Sequence, residues 1–211
     1  MASRAQKLIS FFKKHGGTVR FATILKAGFH SDSLLALEKE GKVEKISRGI
    51  YRLTHEDSIS NPDLVTASLK APRGVICLLS ALAFYEATDE IPRYVDLAIP
   101  RGAHANKIDY PPVRFYRFTP DVWKSGIVEQ KIESHSIRVY ALSKTVADCF
   151  KFRNKIGINI ARDALKTAVT EKHVLPKEIM LYAKICRVAN IIKPILEAII
   201  LTAPYRRPVE V

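Results

Sequence analysis

The chain has 211 residues, of which 47% are hydrophobic, and its 34 Lys and Arg against 21 Asp and Glu give a formal net charge of +13. This length accommodates one or two domains, and the charge favours an anionic partner, with nucleic acid ahead of a membrane surface; a basic protein that binds no polyanion is the alternative. Three widely separated cysteines without a CxxC pair argue against a disulfide framework and a zinc site, and no apolar stretch is long and uninterrupted enough to be a signal peptide or a transmembrane segment.

Two helices are predicted in the first 28 residues. The first covers residues 3–14, where apolar side chains recur at near-helical spacing, and it ends at a Gly-Gly pair. The second begins at Thr18 or a neighbour and ends at Gly28. Arg20 opens this helix, a position that suits a contact to a DNA phosphate.

A third helix and a β-hairpin follow. Ser31 is the predicted N-cap of the helix and Gly41 closes it. Its buried stripe is predicted to consist of Leu34, Leu35 and Leu37. Residues 42–54, KVEKISRGIYRLT, then place two alternating runs around Ser47-Arg48-Gly49. A hairpin this small is not stable alone, so we expect its apolar side chains to pack on the three helices.

The order helix, helix, Gly-containing turn, helix and hairpin predicts a winged helix-turn-helix. In that motif the N-terminal end of the second motif helix enters the major groove of duplex DNA, and the wing lies beside it. The predicted DNA-binding residues are Arg20, His30, Ser31, Ser33, Lys39, Lys42, Lys45, Arg48 and Arg52. The alternatives are cations on a solvated face and a winged helix that binds protein instead of DNA.

The segment LLALEKEGKVEKISRGIYRL resembles the helix-to-wing region of AbiEi-type antitoxins, the transcriptional regulators of type IV toxin–antitoxin systems. Further along, LLSALAFYEATDEIPRYVDLAIPRG, IRVYALSKTVADCFKFRNKIG and ARDALK follow the AbiEi order, so the resemblance covers roughly residues 5–170. It implies a protein that represses its own operon and antagonises a nucleotidyltransferase-like toxin. It also implies binding to promoter DNA with inverted repeats, as a homodimer, without a cofactor or a metal.

A polar stretch near residue 58 is the predicted domain boundary, with a winged-helix domain over 1–58 and an AbiEi-like domain over 59–211. The first part holds 11 Lys and Arg against 6 Asp and Glu, a net +5, and the second holds 23 against 15, a net +8. Both parts are therefore basic. In the second we predict a helix over 63–70, a buried helix that begins at residue 72 and ends before Pro92, a half-buried strand at Val95–Ile99 and a strand at 113–118. The second part also contains a predicted hairpin with its turn at 134–136 and a helical region over 143–202. The predicted breaks in this helical region are at Gly157, Pro176 and Lys193-Pro194.

Two groups of residues invite an enzymatic interpretation. Asp89-Glu90 and Asp96 could be paired carboxylates. A nucleotidyltransferase, however, needs a second metal-binding carboxylate where Ala98 follows Asp96, and a preceding Gly-Ser phosphate loop that this chain lacks. Asp148-Cys149 with His135 suggests a thiol nucleophile, but the apolar neighbours of Cys149 favour a buried structural thiol. We therefore predict no enzymatic activity, and reduced, buried cysteines suited to a cytoplasm.

A basic stretch interleaved with aromatic residues runs over residues 101–124. Its predicted functional cations are Arg101, Lys107, Arg114, Arg117 and Lys124. Such a stretch is typical of RNA-binding surfaces or of a surface for an acidic toxin, although a solvated loop over an aromatic core is the favoured interpretation.

The predicted fold class is α+β: an N-terminal winged helix-turn-helix, then a mixed domain with a small sheet and a helical C-terminal half. A DNA-binding antitoxin is the first functional hypothesis. An RNA- or protein-binding interaction module that uses the basic second domain, without operator-specific repression, is the second.

Overall fold

The computed structural model describes residues 3–54, 60–105 and 107–202. Its helices and sheets form an α+β protein, as predicted. The backbone divides into two compact units: Met1–Arg73 with Asn106–Val113 and Glu129–Ile137, and Gly74–Ala105 with Arg114–Val128 and Arg138–Val211. The boundary predicted near residue 58 lies outside the described residues, so a division there stays a prediction.

The first unit contains four helices and a small antiparallel sheet within its described residues. Its elements are α1 (Arg4–Lys14), β1 (Thr18–Arg20), α2 (Phe21–Lys26), α3 (Ser31–Lys39), β2 (Val43–Ser47), β3 (Ile50–Leu53) and α4 (Pro62–Lys70). The strands lie in the order β1-β3-β2, and β2 and β3 form the predicted hairpin. α1 begins with a capping box, in which the Ser3 side chain accepts from the Gln6 N–H and the Gln6 side chain accepts from the Ser3 N–H.

A small apolar core holds these elements together. Its buried members are Leu8, Phe12, Val19, Ile24, Leu34, Leu37, Val43, Tyr51 and Leu53. They come from α1, β1, α2, α3 and the hairpin, so the apolar side chains of the hairpin pack on the helices, as the sequence predicted. Each fully buried Leu or Phe contributes roughly 1.5–3 kcal/mol relative to an exposed one.

Three local predictions for this region were wrong. Thr18 does not begin a helix, because Thr18 and the next two residues pair with β3 as a strand, and the helix starts only at Phe21. The N-cap of α3 is His30, one residue before the predicted Ser31. Leu35 is 50% exposed and lies off the buried stripe of α3.

The second unit and the segments shared with the first contain the remaining elements. These are β4 (Val75–Ile76), α5 (Leu78–Phe84), β5 (Val95–Pro100), β6 (Val113–Phe118), α6 (Pro120–Lys124), β7 (Ile127–Ile132), β8 (His135–Tyr140), α7 (Leu142–Lys151), α8 (Arg153–Ile156), α9 (Ile158–Thr170), α10 (Pro176–Ile185) and α11 (Ala189–Thr202). The strands form one sheet in the order β6-β5-β4-β8-β7, with β4 antiparallel to β5 and parallel to β8. The region from α7 to α11 is helical, as predicted.

The structure corrects the predictions here as well. The helix predicted from residue 72 to before Pro92 is confined to α5, because Val75–Ile76 pairs as a strand with β5 and β8. β5 is buried on both faces, since Asp96 and Ala98 are only 4% and 0% exposed. Pro194 lies inside α11 and does not break it, while an unpredicted break separates α10 from α11.

The turn between β7 and β8 belongs to the first unit, where it lies against the glycine pair after α1. Gly16 has a φ of +67°, and a Cβ built on it would lie 2.5 Å from Ser134 Oγ and 3.3 Å from His135 Nε2. Glycine at position 16 therefore satisfies both the backbone conformation and the close approach of this turn.

Candidate nucleic-acid interface

The hairpin exposes two basic side chains near its turn. Lys45 and Arg48 are exposed and form no ion pair with the residues that the structure describes. Arg48 stands beside Gly49, whose φ of +74° makes the tight turn. Two further predicted cations have acidic partners: Lys42 Nζ lies 2.7 Å from Glu40, and Arg52 donates to Glu44 Oε1 at 3.0 and 2.7 Å. The cations with the least competition from carboxylates therefore lie toward the turn.

The start of α3 presents polar groups to solvent. His30, Ser31 and Asp32 are exposed, Ser33 is half-buried, and no side chain caps the first turn. Uncapped N–H groups in a helix's first turn can bind a phosphate, although Asp32 adds a negative charge there. Lys39 is exposed at the other end of α3, about 12 Å away along the axis at 1.5 Å per residue. The structure thus groups His30, Ser31 and Ser33, and separates Lys39 from them.

Arg20 lies at the junction of β1 and α2, close to the hairpin turn. Its backbone pairs with Ile50, and the N–H of the next residue, Phe21, donates to the Gly49 carbonyl at 2.9 Å. Partial burial lowers the pKa of the Arg20 guanidinium. Arg20 thus lies immediately before α2, and its contact to a DNA phosphate stays a prediction.

A fourth cation near the hairpin turn was not predicted. Lys70, the last residue of α4, donates through Nζ to the backbone carbonyl of Arg48. Its pKa is lowered first by burial and then by the positive charges of Arg48, Arg20 and Lys45, whereas Asp109 raises it. We call Arg20, Lys45, Arg48 and Lys70 the hairpin-tip cluster. No local pattern marks Lys70, because its role depends on where α4 ends in space.

The basic stretch over residues 101–124 is divided between the two units. Lys107 belongs to the first unit, and the other four predicted cations belong to the second. All five side chains are exposed. Arg114, on the edge strand β6, stacks 4.5 Å from the Tyr94 ring centroid and donates to Tyr116 Oη at 3.4 Å.

The aromatic residues of this stretch are largely part of the interior. Tyr116 is buried, and Trp123 is half-buried and donates its indole N–H to the Ala98 carbonyl at 3.2 Å. Tyr110 is 45% exposed and donates its hydroxyl to Asp63 at 2.9 Å. This arrangement fits the favoured interpretation of exposed cations over an aromatic core, and a binding role for these cations stays a prediction.

Asp96 and Asp148, two of the residues that invited an enzymatic interpretation, lie among buried structural groups. The Nε2 atom of a third, His135, has no hydrogen-bond partner among the described residues. Burial raises the pKa of Asp96 to about 6, whereas Arg114 and the backbone N–H groups of Leu79 and Ser80, at the start of α5, oppose the shift. Asp148 accepts from Lys144 Nζ at 2.5 Å and from the Cys186 thiol at 3.2 Å, all inside the second unit. Asp148 is therefore the partner of a buried ion pair.

The thiol of Cys149 is buried, as predicted, and burial raises its pKa well above the usual value. A thiol held protonated in this way is a poor nucleophile. Within the described ranges, no group of three or more His, Cys, Asp and Glu side chains is arranged to hold a metal ion. No helix among the same residues has the length and apolar character needed to cross a membrane.

Comparison with known protein families identifies the segment that contains the hairpin. Residues 6–54 match the family described as "Transcriptional regulator, AbiEi antitoxin". The match extends from α1 through β3 and confirms the resemblance to AbiEi antitoxins over that segment. The resemblance of the later segments, to about residue 170, stays a prediction. A search of curated proteins found no match to the chain.

Proposed function

We propose that the chain is a DNA-binding antitoxin that represses its own operon, with residues 1–58 acting as a winged helix-turn-helix. The observation that carries this proposal is that Lys45 and Arg48 form no ion pair with the described residues, on a hairpin inside the segment that matches a family of transcriptional regulators. In the proposed geometry α2 and α3 form the helix-turn-helix, α3 lies in the major groove, and β2 and β3 form the wing.

The proposed contacts differ in kind along this surface. His30, Ser31 and Ser33 at the start of α3 are assigned to base edges and the nearest phosphate. Arg48 and Lys45 are assigned to phosphates beside the groove. Lys42 and Arg52 already pair with Glu40 and Glu44, so we expect them to add less binding free energy. Lys39, at the far end of α3, is assigned to a more distant phosphate.

The proposed partner of the remaining chain is a nucleotidyltransferase-like toxin, which residues 59–211 would antagonise. Exposed Arg101, Arg114, Arg117 and Lys124 offer positive charge in the second unit for an acidic protein or for RNA, and Lys107 does so separately in the first unit. We place the protein in the cytoplasm, as a homodimer on inverted repeats, because a two-fold operator requires a paired reader. The same five cations support the second candidate function, an RNA- or protein-binding module without operator-specific repression.

The test of repression is binding to the DNA upstream of the protein's own gene, against a scrambled duplex of equal length, at moderate salt. We expect tighter binding to the upstream duplex. Arg48→Gln should weaken binding to both duplexes, by roughly 1 kcal/mol or more if a charged hydrogen bond to a phosphate is lost. Ser33→Ala should change the ratio between the duplexes if Ser33 contacts a base edge.

Lys177→Gln, which removes an exposed lysine at the start of α10, is the charge-matched control. Equal affinity of the unmodified protein for both duplexes would rule out operator-specific repression and leave the interaction-module hypothesis.

Toxin antagonism needs a separate test, because repression alone could protect a cell. The toxin gene is expressed from an unrelated promoter, and growth is followed with the full chain, with Arg48→Gln and with the double variant Arg114→Gln/Arg117→Gln. We expect Arg48→Gln to protect fully and the double variant to protect less. If Arg48→Gln abolishes protection and the double variant retains it, the hairpin surface, and not residues 59–211, antagonises the toxin.

A further inference from the structure

We propose that the hairpin-tip cluster is a binding site for the phosphate backbone of duplex DNA, and that Lys70 of α4 is its fourth ligand. This inference rests on the proposed function, which it extends beyond the segment that matches the family. Lys70 lies outside residues 6–54, so neither the family match nor the winged-helix pattern assigns it a role.

The position of Lys70 is fixed by a hydrogen bond to the hairpin turn itself. Its Nζ donates to the Arg48 carbonyl, which holds the ammonium group at the turn while the bond stays exposed to solvent. An ammonium group has three donors, and the Arg48 carbonyl uses one of them. The other N–H groups remain available to a phosphate oxygen beside Arg48.

The cluster gathers four positive charges around one turn with little compensation. None of Arg20, Lys45, Arg48 and Lys70 forms an ion pair with a carboxylate among the described residues; Asp109 is the acid whose charge acts on Lys70. Like charges held together repel, and this repulsion is relieved when an anion binds between them. The arrangement is therefore costly in the free protein and favourable around a phosphate.

Duplex DNA is the ligand that fits the place of the cluster in the first unit. The cluster lies at the tip of the hairpin that follows α3, where a wing meets the sugar-phosphate backbone next to the groove that α3 enters. A backbone contact adds affinity and fixes the register without reading sequence. Lys70 should therefore strengthen binding to all duplexes equally.

The test measures the affinity of the full chain for the upstream and the scrambled duplex over a range of KCl concentrations. The slope of log affinity against log salt is negative, and a lost phosphate contact reduces the magnitude of this slope by about 0.9. We expect Lys70→Gln to reduce the magnitude of the slope by that amount. It should also weaken binding to both duplexes by the same factor, roughly fivefold or more at moderate salt. Lys70→Arg should retain the slope, and Lys177→Gln should leave both quantities unchanged.

A second variant tests the cluster without removing a cation. Asp109→Asn removes the opposing charge, so it should strengthen binding to both duplexes without reducing the magnitude of the slope. Circular dichroism and urea unfolding of each variant report whether it folds. If Lys70→Gln does not fold, weaker or unchanged binding by a folded Asp109→Asn overturns the inference.

The outcomes separate this inference from the proposed repression. An unchanged slope and affinity in folded Lys70→Gln, with the upstream preference intact, overturns the role of Lys70 and leaves repression standing. A slope of reduced magnitude on both duplexes, with no upstream preference in the unmodified protein, supports the cluster and removes operator-specific repression. Failure of the unmodified protein to bind either duplex overturns both.

Discussion

Lys144 and Asp148 form an ion pair from which solvent is excluded. Both side chains are 0% exposed, their charged atoms are 2.5 Å apart, and they lie one turn apart on α7. The Lys144 ammonium also lies 4.3 Å from the Tyr140 ring centroid and 5.0 Å from that of Phe118, within cation–π range. Each charge therefore depends on its partner, because neither can reach water.

Removing one member of this pair should destabilise the fold strongly. Lys144→Met leaves the Asp148 carboxylate buried without its cation, which typically costs about 3–5 kcal/mol of the free energy of unfolding. The measurement is urea unfolding followed by circular dichroism. Lys193→Met, which removes a 66%-exposed partner of Glu197, is the control and should change little. A loss in Lys144→Met no larger than in this control would contradict the assignment.

Asp96 should make stability depend on pH in a direction unusual for an aspartate. Burial raises its pKa to about 6, so the folded state keeps this proton to a higher pH than the unfolded chain does. Stability therefore falls as the pH rises from about 4 to 6, by an amount on the order of 3 kcal/mol.

The Asp96→Asn variant isolates this effect. Asparagine does not titrate, so the loss of unfolding free energy between pH 4.5 and 7.5 should be smaller in Asp96→Asn than in the unmodified protein. The free energies come from urea unfolding at the two pH values. Identical pH dependence in both proteins would show that Asp96 titrates normally.

At the scale of elements, two turns contact each other: the Gly-Gly turn after α1 and the turn of the β7–β8 hairpin. Substitution of Gly16, with Gly41 as the matched control, tests this contact. Gly16 and Gly41 have nearly equal φ angles, +67° and +68°, but only Gly16 has atoms within 4 Å of a built Cβ. Gly41→Ala should cost about 1–2 kcal/mol for backbone strain alone. Gly16→Ala should cost about 1–3 kcal/mol more, because its Cβ would meet Ser134 and His135. Equal losses in urea unfolding would mean that the two turns do not touch in solution.

The elements that the sequence predicted well carry strong periodic or punctuation signals. α1, α3, the hairpin and the helical region from α7 onward all show regular apolar spacing bounded by Gly or Pro. The three residues of β1 are too few to show a period, so the sequence pattern extends the following helix back to Thr18. β4 is likewise only two residues long, and its pairing partners lie far along the chain.

The sequence predicts only those residues of the candidate site that belong to a local sequence pattern. Arg48 follows from the hairpin pattern, and His30, Ser31 and Ser33 follow from the helix start. Lys70 follows from neither, because 22 residues separate it from Arg48 and only the packed fold joins them. Burial of Asp96 was missed for a similar reason: alternation along β5 suggested one exposed face, whereas the sheet is covered on both.

At the scale of the whole molecule, the first compact unit extends beyond the predicted boundary near residue 58. It includes α4 and the segments Asn106–Val113 and Glu129–Ile137. A fragment of residues 1–58 lacks all three, so we expect its core to be less stable than the same core in the full chain.

Hydrogen exchange measures this difference directly. The amides of Leu8 and Phe12, whose side chains are 0% exposed, should exchange faster in fragments 1–58 and 1–73 than in the full chain. Fragment 1–73, which keeps α4, should lie between the other two. Equal protection in all three proteins would mean that the first unit is complete by residue 58.

The turn at Ser134, which lies against Gly16, also sets when the first unit can finish folding during synthesis. These contacting residues are 118 positions apart, so this contact raises the contact order of the first unit. Translation from residue 73 to residue 137 takes roughly 3–13 s at typical elongation rates. The hairpin of the nascent chain would therefore lack the contact from the Ser134 turn to its unit until most of the chain has left the ribosome. A prematurely terminated chain would then lack a fully formed DNA-binding unit, so repression would begin only when the part assigned to toxin antagonism is also being made.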